Sequence, residues 1–276
     1  MTWEALGAVP PEGLSEARLQ LHWAAQLLSA PGASLLPAAE DYSHTNLSWD
    51  VGLRVLSGRA VGPNSLRAAL VFEGLELVVL DGERERSTMR LAGHTLQQSL
   101  SWLGRELAGE GSGFVFPVHD MPVHPVGEGR VFSDAGAPAR AELGAWFANA
   151  FRLIRQVVAG EASASPVRCW PHHFDVASLI TIDAGANAEE ARSIGVGFSP
   201  GDGSYDEPYF YVTPWPYPET ANLPPLAKGA QWHRNGWTGA VLTAERLLSV
   251  PPAEQEHTAR EALGRAVAAS REIFGN

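Results

Sequence analysis

The stretch Arg67-Ala68-Ala69-Leu70-Val71-Phe72-Glu73-Gly74-Leu75-Glu76-Leu77-Val78-Val79-Leu80-Asp81-Gly82 decides the fold. Two apolar, β-branched runs, Arg67–Phe72 and Leu75–Leu80, are separated only by Glu73-Gly74. Asp81-Gly82 then gives a tight-turn signal into a third run, Arg84–Leu91. Strands joined by such short links must be antiparallel, because a parallel crossover needs about a dozen residues or more. Outward from this hairpin, Asn46 to Leu56 alternates apolar with polar residues and predicts a strand. Leu14 to Ser29 predicts a helix ended by Pro31-Gly32, and Thr95 to Leu107 a second, opened by the Thr95/Gln98 capping box. Gly109 to Pro138 reads as loop, with a strand near Phe114–Val118. Further on, Arg140–Val158 and Pro252–Phe274 predict helices, and Val167–Ile182, Ser193–Phe198 and Tyr209–Pro214 predict strands. Thr213 to Leu226 holds five prolines and reads as an extended surface segment.

The expected fold class is therefore α+β, a single compact unit of two similar helix–strand–helix halves with antiparallel sheet. One domain spans 1–276, with an internal repeat of 14–108 and 139–274. Trp49-Asp50-Val51-Gly52-Leu53 resembles Phe174-Asp175-Val176-Ala177-Ser178, and Trp23 and Trp146 precede those aspartates by similar intervals.

Composition narrows the function. The chain has 276 residues, 45% hydrophobic and 18% charged, enough for a substantial core. Its net charge of −11, without a basic block, repels polyanions and argues against nucleic acid. The longest apolar stretch, Leu70 to Leu80, contains Glu73 and Glu76 and is too short to span a bilayer. No signal peptide is visible, so a cytoplasmic location without membrane attachment is expected. Cys169 is the single cysteine, which excludes an intramolecular disulfide and thiolate-rich zinc sites. Oligomeric state is not readable at this level.

Two segments set ionisable groups among aromatics: Trp170-Pro171-His172-His173-Phe174-Asp175 and Asp206-Glu207-Pro208-Tyr209-Phe210-Tyr211. On an extended strand His173 and Asp175 share a face. A carboxylate beside an imidazole fixes its tautomer and raises its basicity, so His173 is the candidate general base, Asp175 its orienter and Glu207 the acid or ligand anchor. His172, His173 and Asp175 are equally a candidate divalent-metal triad, with His119, His124 or Glu207 completing it if the histidines face apart. Trp49, Asp50, Trp170, His172, Tyr209, Tyr211 and Trp215 are candidate ligand-binding residues, the aromatics with polar tips suiting sugars, planar heterocycles or amines. A hydrogen-bonded structural histidine and an exposed turn acid are the competing readings. Gly197-Phe198-Ser199-Pro200-Gly201 matches a nucleophile elbow in letters only, since Pro200 has no N–H for an oxyanion hole.

The order of Asn46-x-x-Trp49-x-Val51-x-Leu53, Met121-Pro122-Val123, Ser165-Pro166-Val167, Phe174-Asp175-x-Ala177, Gly197-Phe198-x-Pro200-Gly201 and Asp206-Glu207-Pro208-x-Phe210-Tyr211 resembles the uncharacterised bacterial family catalogued as domain of unknown function 5996. The resemblance covers about Leu14 to Leu248. It implies no reaction, and implies that Asp175, Glu207 and their aromatic neighbours belong to one recurring design. It departs at Trp170-Pro171-His172-His173, where the family carries aromatic and small residues, so the histidines are expected to mark a subgroup. The functional expectation is a small-molecule pocket at the joint between the halves, rich in His, Asp, Glu and aromatics, serving a metal-dependent or acid/base enzyme. The alternatives are a non-catalytic binding module and a structural or oligomerisation protein.

Overall fold

Helix α1 (Ser15–Leu35) runs straight through Pro31-Gly32, where the sequence predicts its end. Ala30, Pro31 and Gly32 are all buried, so tertiary packing holds the turn that a proline destabilises. The computed structural model describes residues 2–109, 113–116, 120–183 and 191–275. The fold is α+β, with helices and two antiparallel sheets. The chain divides into two units: Gly13–Gly144 with Arg168–Phe174, and Met1–Glu12 with Ala145–Val167 and Asp175–Asn276. We call them the α1 unit and the α5 unit.

In the α1 unit, β1 (Ser48–Asp50), β2 (Val55–Ser57), β3 (Arg67–Val71), β4 (Glu76–Asp81) and β5 (Arg84–Arg90) form an antiparallel meander in sequence order. The 67–82 hairpin adopts the predicted pairing, Ala69 opposite Val78 and Leu70 opposite Leu77. Val55, Ala69, Val78 and Leu80 pack as one apolar cluster. Helix α2 (Leu96–Ala108) starts on both halves of its capping box: Thr95 Oγ1 accepts from the Gln98 amide at 3.2 Å, and Gln98 Oε1 from the Thr95 amide at 2.8 Å. Helix α3 (Ala137–Val157) gives this unit its first turns. Strand β6 (Arg168–Trp170) is held here because Cys169 and Leu47 exchange backbone hydrogen bonds at 2.8 and 2.9 Å.

The continuous strand expected over Asn46–Leu56 is a hairpin. Asp50 Oδ1 accepts from the Gly52 and Leu53 amides at 3.0 and 3.1 Å, so a side chain offers the backbone a turn instead of a ladder. Phe114–Phe116 is irregular; the rest of the strand expected near it lies outside the described residues.

In the α5 unit the strand order is β10 (Gln231–His233), β11 (Gly239–Thr243), β9 (Tyr209–Trp215), β8 (Ser193–Ser199), β7 (Asp175–Thr181). The rest of α3 and α5 (Pro252–Phe274) belong here, with α4 (Ala244–Leu248) before the latter. Trp146 stacks on Phe198 at 5.8 Å and Phe147 meets it edge-on at 5.6 Å, which seats α3 on β8. Strand β9 follows the predicted Tyr209–Pro214 and adds Trp215, so the first three residues of the expected surface segment are paired with β8. Strand β11 pairs with β9 only from Tyr209 to Val212, so the missing N–H of Pro214 falls past the end of that ladder.

Candidate functional site

The histidine segment is a turn, which corrects the reading of Val167–Ile182 as one strand. Strand β6 ends at Trp170 and β7 begins at Asp175. Between them the His173 and Phe174 amides both donate to Trp170 O, at 3.2 and 2.7 Å, and Phe174 takes a φ of 58°. Pro171 pre-sets the backbone for such a turn. The same-face placement of His173 and Asp175, which needs an extended chain, therefore does not apply. His172 and His173 pack ring to ring with centroids 4.2 Å apart, and Trp170 meets His172 edge-on at 6.4 Å. His173 is exposed. Among the described residues no three His, Cys, Asp or Glu side chains form a metal-holding group, so the His172–His173–Asp175 triad is not assembled. His119 lies outside the described residues. His124 is engaged: Nδ1 accepts from the Val126 amide at 3.2 Å, leaving Nε2–H for Glu16 Oε1 at 3.2 Å.

What anchors the turn is helix α1. His22 Nε2 lies 3.0 Å from Pro171 O, and Gln26 Nε2 donates to the same carbonyl at 2.7 Å and to His22 O at 3.1 Å. The His22 ring stacks on Phe174 at 5.3 Å. Burial holds His22 down at a pKa of about 4, against backbone hydrogen bonds that favour its charged form, so the ring is neutral near pH 7.

The same helix pins the Gly- and Pro-rich loop that follows α2. Trp23 Nε1 donates to Pro122 O at 3.1 Å, Gln20 Oε1 accepts from the Ser133 amide at 2.9 Å, and Ser34 Oγ accepts from the Val115 amide at 3.0 Å. A Cβ on Gly127 would stand 2.3 Å from the Trp23 ring, so only glycine lets the loop lie against the indole. Loop, α1 and the start of α2 enclose a cavity of about 470 Å³, lined by Trp23, Gln26, Thr95, Leu96, Gln97, Phe116, Met121, Val126, Gly127 and Gly129.

The sequence-predicted residues lie elsewhere. Trp49 is buried, its ring edge-on to Phe72 at 5.3 Å, and Asp50 makes the turn described above. In the α5 unit Tyr211 Oη donates to Asp175 Oδ2 at 2.5 Å, and Tyr209 Oη to Asp202 Oδ2 at 2.5 Å, with the two rings 6.0 Å apart. A Cβ on Gly197 would stand 2.2 Å from Tyr211 Cζ, so glycine on β8 lets the ring cross toward β7. Burial, reinforced by Asp175, raises the Tyr211 hydroxyl well above its ordinary pKa, and burial beside Asp202 raises that of Tyr209. Both are neutral donors rather than bases. Glu207 does not join them. Its Oε2 accepts from the Glu245 amide at 2.6 Å at the start of α4, and it lines an open concavity of about 640 Å³ with Pro11, Glu12, Asp206, Glu245, Leu248 and Ser249. Trp215 is exposed, edge-on to Tyr217 at 5.2 Å.

His22 and Gln26 are the residues that sequence reasoning missed. Their signal is a polar i, i+4 pair, with Ser29 one turn further, on a stretch of α1 that is buried except at the half-buried Trp23. No family model, curated protein or solved structure matches the chain.

Proposed function

We propose that this protein binds a small molecule without transforming it, in the cavity between α1, the start of α2 and the loop through Met121 and Gly129. The cavity carries the proposal: about 470 Å³ is inside the range of about 300–1,000 Å³ typical of ligand sites, and an indole fixed at both its nitrogen and its ring forms one wall. Mostly apolar lining with a few convergent polar groups is the usual character of such sites. Binding is favoured over acid–base chemistry because the candidate carboxylates already have work. Asp175 accepts from Tyr211, and Glu207 caps α4. We also read the chain as a relative of the bacterial family it resembles, on motif order alone, and that reading supplies no reaction.

The test is to purify the protein natively, denature it and search the extract by mass spectrometry, alongside a thermal-shift screen of small metabolites. A ligand at about 100 times its Kd stabilises by about 2.7 kcal/mol, a shift of several degrees. Met121→Trp fills the cavity from a half-buried loop position and should abolish the shift. An empty extract and no shift from any compound would refute binding at this site.

A further inference from the structure

We infer that Asn235-Gly236 is a self-modification site, where the side-chain amide of Asn235 is lost through a succinimide and His233 activates the attacking nitrogen. Asn235 is the one asparagine of the chain that is followed by glycine. The pair lies in the loop of residues 234–238 that joins β10 to β11, and both residues are exposed. Among the described residues neither the Asn235 side chain nor the Gly236 amide makes a hydrogen bond, so neither reacting group is tied up. Gly236 has no Cβ of its own, and nothing lies within 4 Å of where one would stand, so its nitrogen is uncrowded.

To this pair the fold adds a fixed donor. His233 Nε2 lies 2.7 Å from Asn235 O. A carbonyl only accepts, so Nε2 carries the hydrogen, and Nδ1 accepts from Tyr205 Oη at 2.9 Å. The imidazole also stacks on Trp237 at 4.2 Å, and Trp237 Nε1 donates to Ser204 Oγ at 3.2 Å. Partners at both ring nitrogens and against one face keep the donor on Asn235 O. That oxygen belongs to the same peptide unit as the Gly236 nitrogen. When the Gly236 N–H is lost, its negative charge spreads onto the oxygen, and a hydrogen bond there favours the charged form.

The reaction consumes water alone. A solvent hydroxide takes the Gly236 proton. The nitrogen bonds to Asn235 Cγ, the Cγ–Nδ2 bond breaks, and ammonia leaves with a proton from water. Water then opens the ring. Attack at Cγ gives an aspartate in an unchanged backbone. Attack at the backbone carbonyl carbon gives isoaspartate, whose main chain runs through Cγ and is one methylene longer. Either product puts a new carboxylate near His233, and the amide is not regained, so the site marks the age of each molecule.

The test is to incubate the full chain at physiological temperature and neutral pH and to follow the amide-to-acid mass gain at each asparagine by peptide mapping. Labelling with an isoaspartyl methyltransferase reports the longer product. Asn235 should convert well ahead of Asn64 and Asn222, which are exposed but followed by Ser65 and Leu223. His233→Phe keeps a flat ring against Trp237 and removes the donor. It should slow conversion about 5-fold, the rate equivalent of one ordinary hydrogen bond. Asn235→Gln should abolish the mass gain at this position. The chain unfolded in urea has no His233 bond and should convert more slowly than the folded chain, which tests the activation even if His233→Phe does not fold. Conversion at Asn235 no faster than at Asn64 would overturn the site. A rate unchanged or raised in His233→Phe, or a folded rate below the unfolded one, would overturn the role of His233.

Discussion

His22 shows how burial turns a common side chain into a pH-dependent stabiliser. The ring is buried beneath Phe174 and against the Pro171 carbonyl, and its pKa falls from 6.5 to about 4. The fold thus favours the neutral form, and the unfolded chain binds the proton more tightly. The stability this group contributes is fully present above pH 6.5 and is lost as pH falls toward 4. Between pH 7 and pH 5 the expected loss is on the order of 2 kcal/mol, read as a falling urea midpoint. His22→Gln keeps a donor for Pro171 O but removes the titration, so its midpoint should vary less over that interval. Identical pH slopes in the two proteins would show that His22 does not carry the effect. Little of this was visible in the sequence, where a lone histidine on a helix carries no sign of its depth. The adjacent His172-His173 pair looked more informative because it is local, yet its residues form a turn and His173 is exposed.

Elements whose signals are local were legible. The 67–82 hairpin, α5 from Pro252 to Phe274 and the capping box of α2 each specify themselves through turn residues, periodicity or a cap. Where a side chain or tertiary packing competes with the period, legibility failed. Asp50 breaks an alternating run into a hairpin, and burial carries α1 past Pro31. Strand β11, buried at every position, has no alternation to read. The cavity was illegible for a related reason, since residues from α1, α2 and a loop meet there by hydrogen bonds between distant positions. The box on α2 also allows a quantitative test. Thr95→Ala should destabilise by about 1 kcal/mol. Gln98→Ala should do less, because it leaves the Thr95 hydroxyl on its amide. The two bonds are reciprocal, so the double variant should lose less than the sum of the singles. Strict additivity in thermal melts would mean that the bonds form independently.

Across the whole molecule, no continuous stretch of chain encodes either unit. Among the described residues no helix is long and apolar enough to cross a membrane. The α5 unit takes its first residues from the start of the chain, and they are bonded into it. Gln255, 1% exposed on α5, accepts from the Leu6 amide at 3.1 Å and donates to Leu6 O at 3.2 Å, so one side-chain amide satisfies both backbone groups as a strand partner would. Asn149 on α3 does the same for Glu4, accepting from its amide at 3.0 Å and donating to its carbonyl at 2.8 Å. Trp3 Nε1 adds a bond to Gln255 at 3.3 Å, and Leu6 is buried. Deleting residues 2–8 would leave Gln255 with an unmet donor and acceptor in the interior and would uncover the apolar surface that Leu6 covers. Each unmet buried group costs about 1–3 kcal/mol, so the truncated protein should melt many degrees lower. Gln255→Leu separates the hydrogen bonds from the covering: it should destabilise less than the deletion while speeding hydrogen exchange at the Leu6 amide. A deletion that leaves the melting temperature unchanged would show that the segment merely rests on the unit and does not hold it.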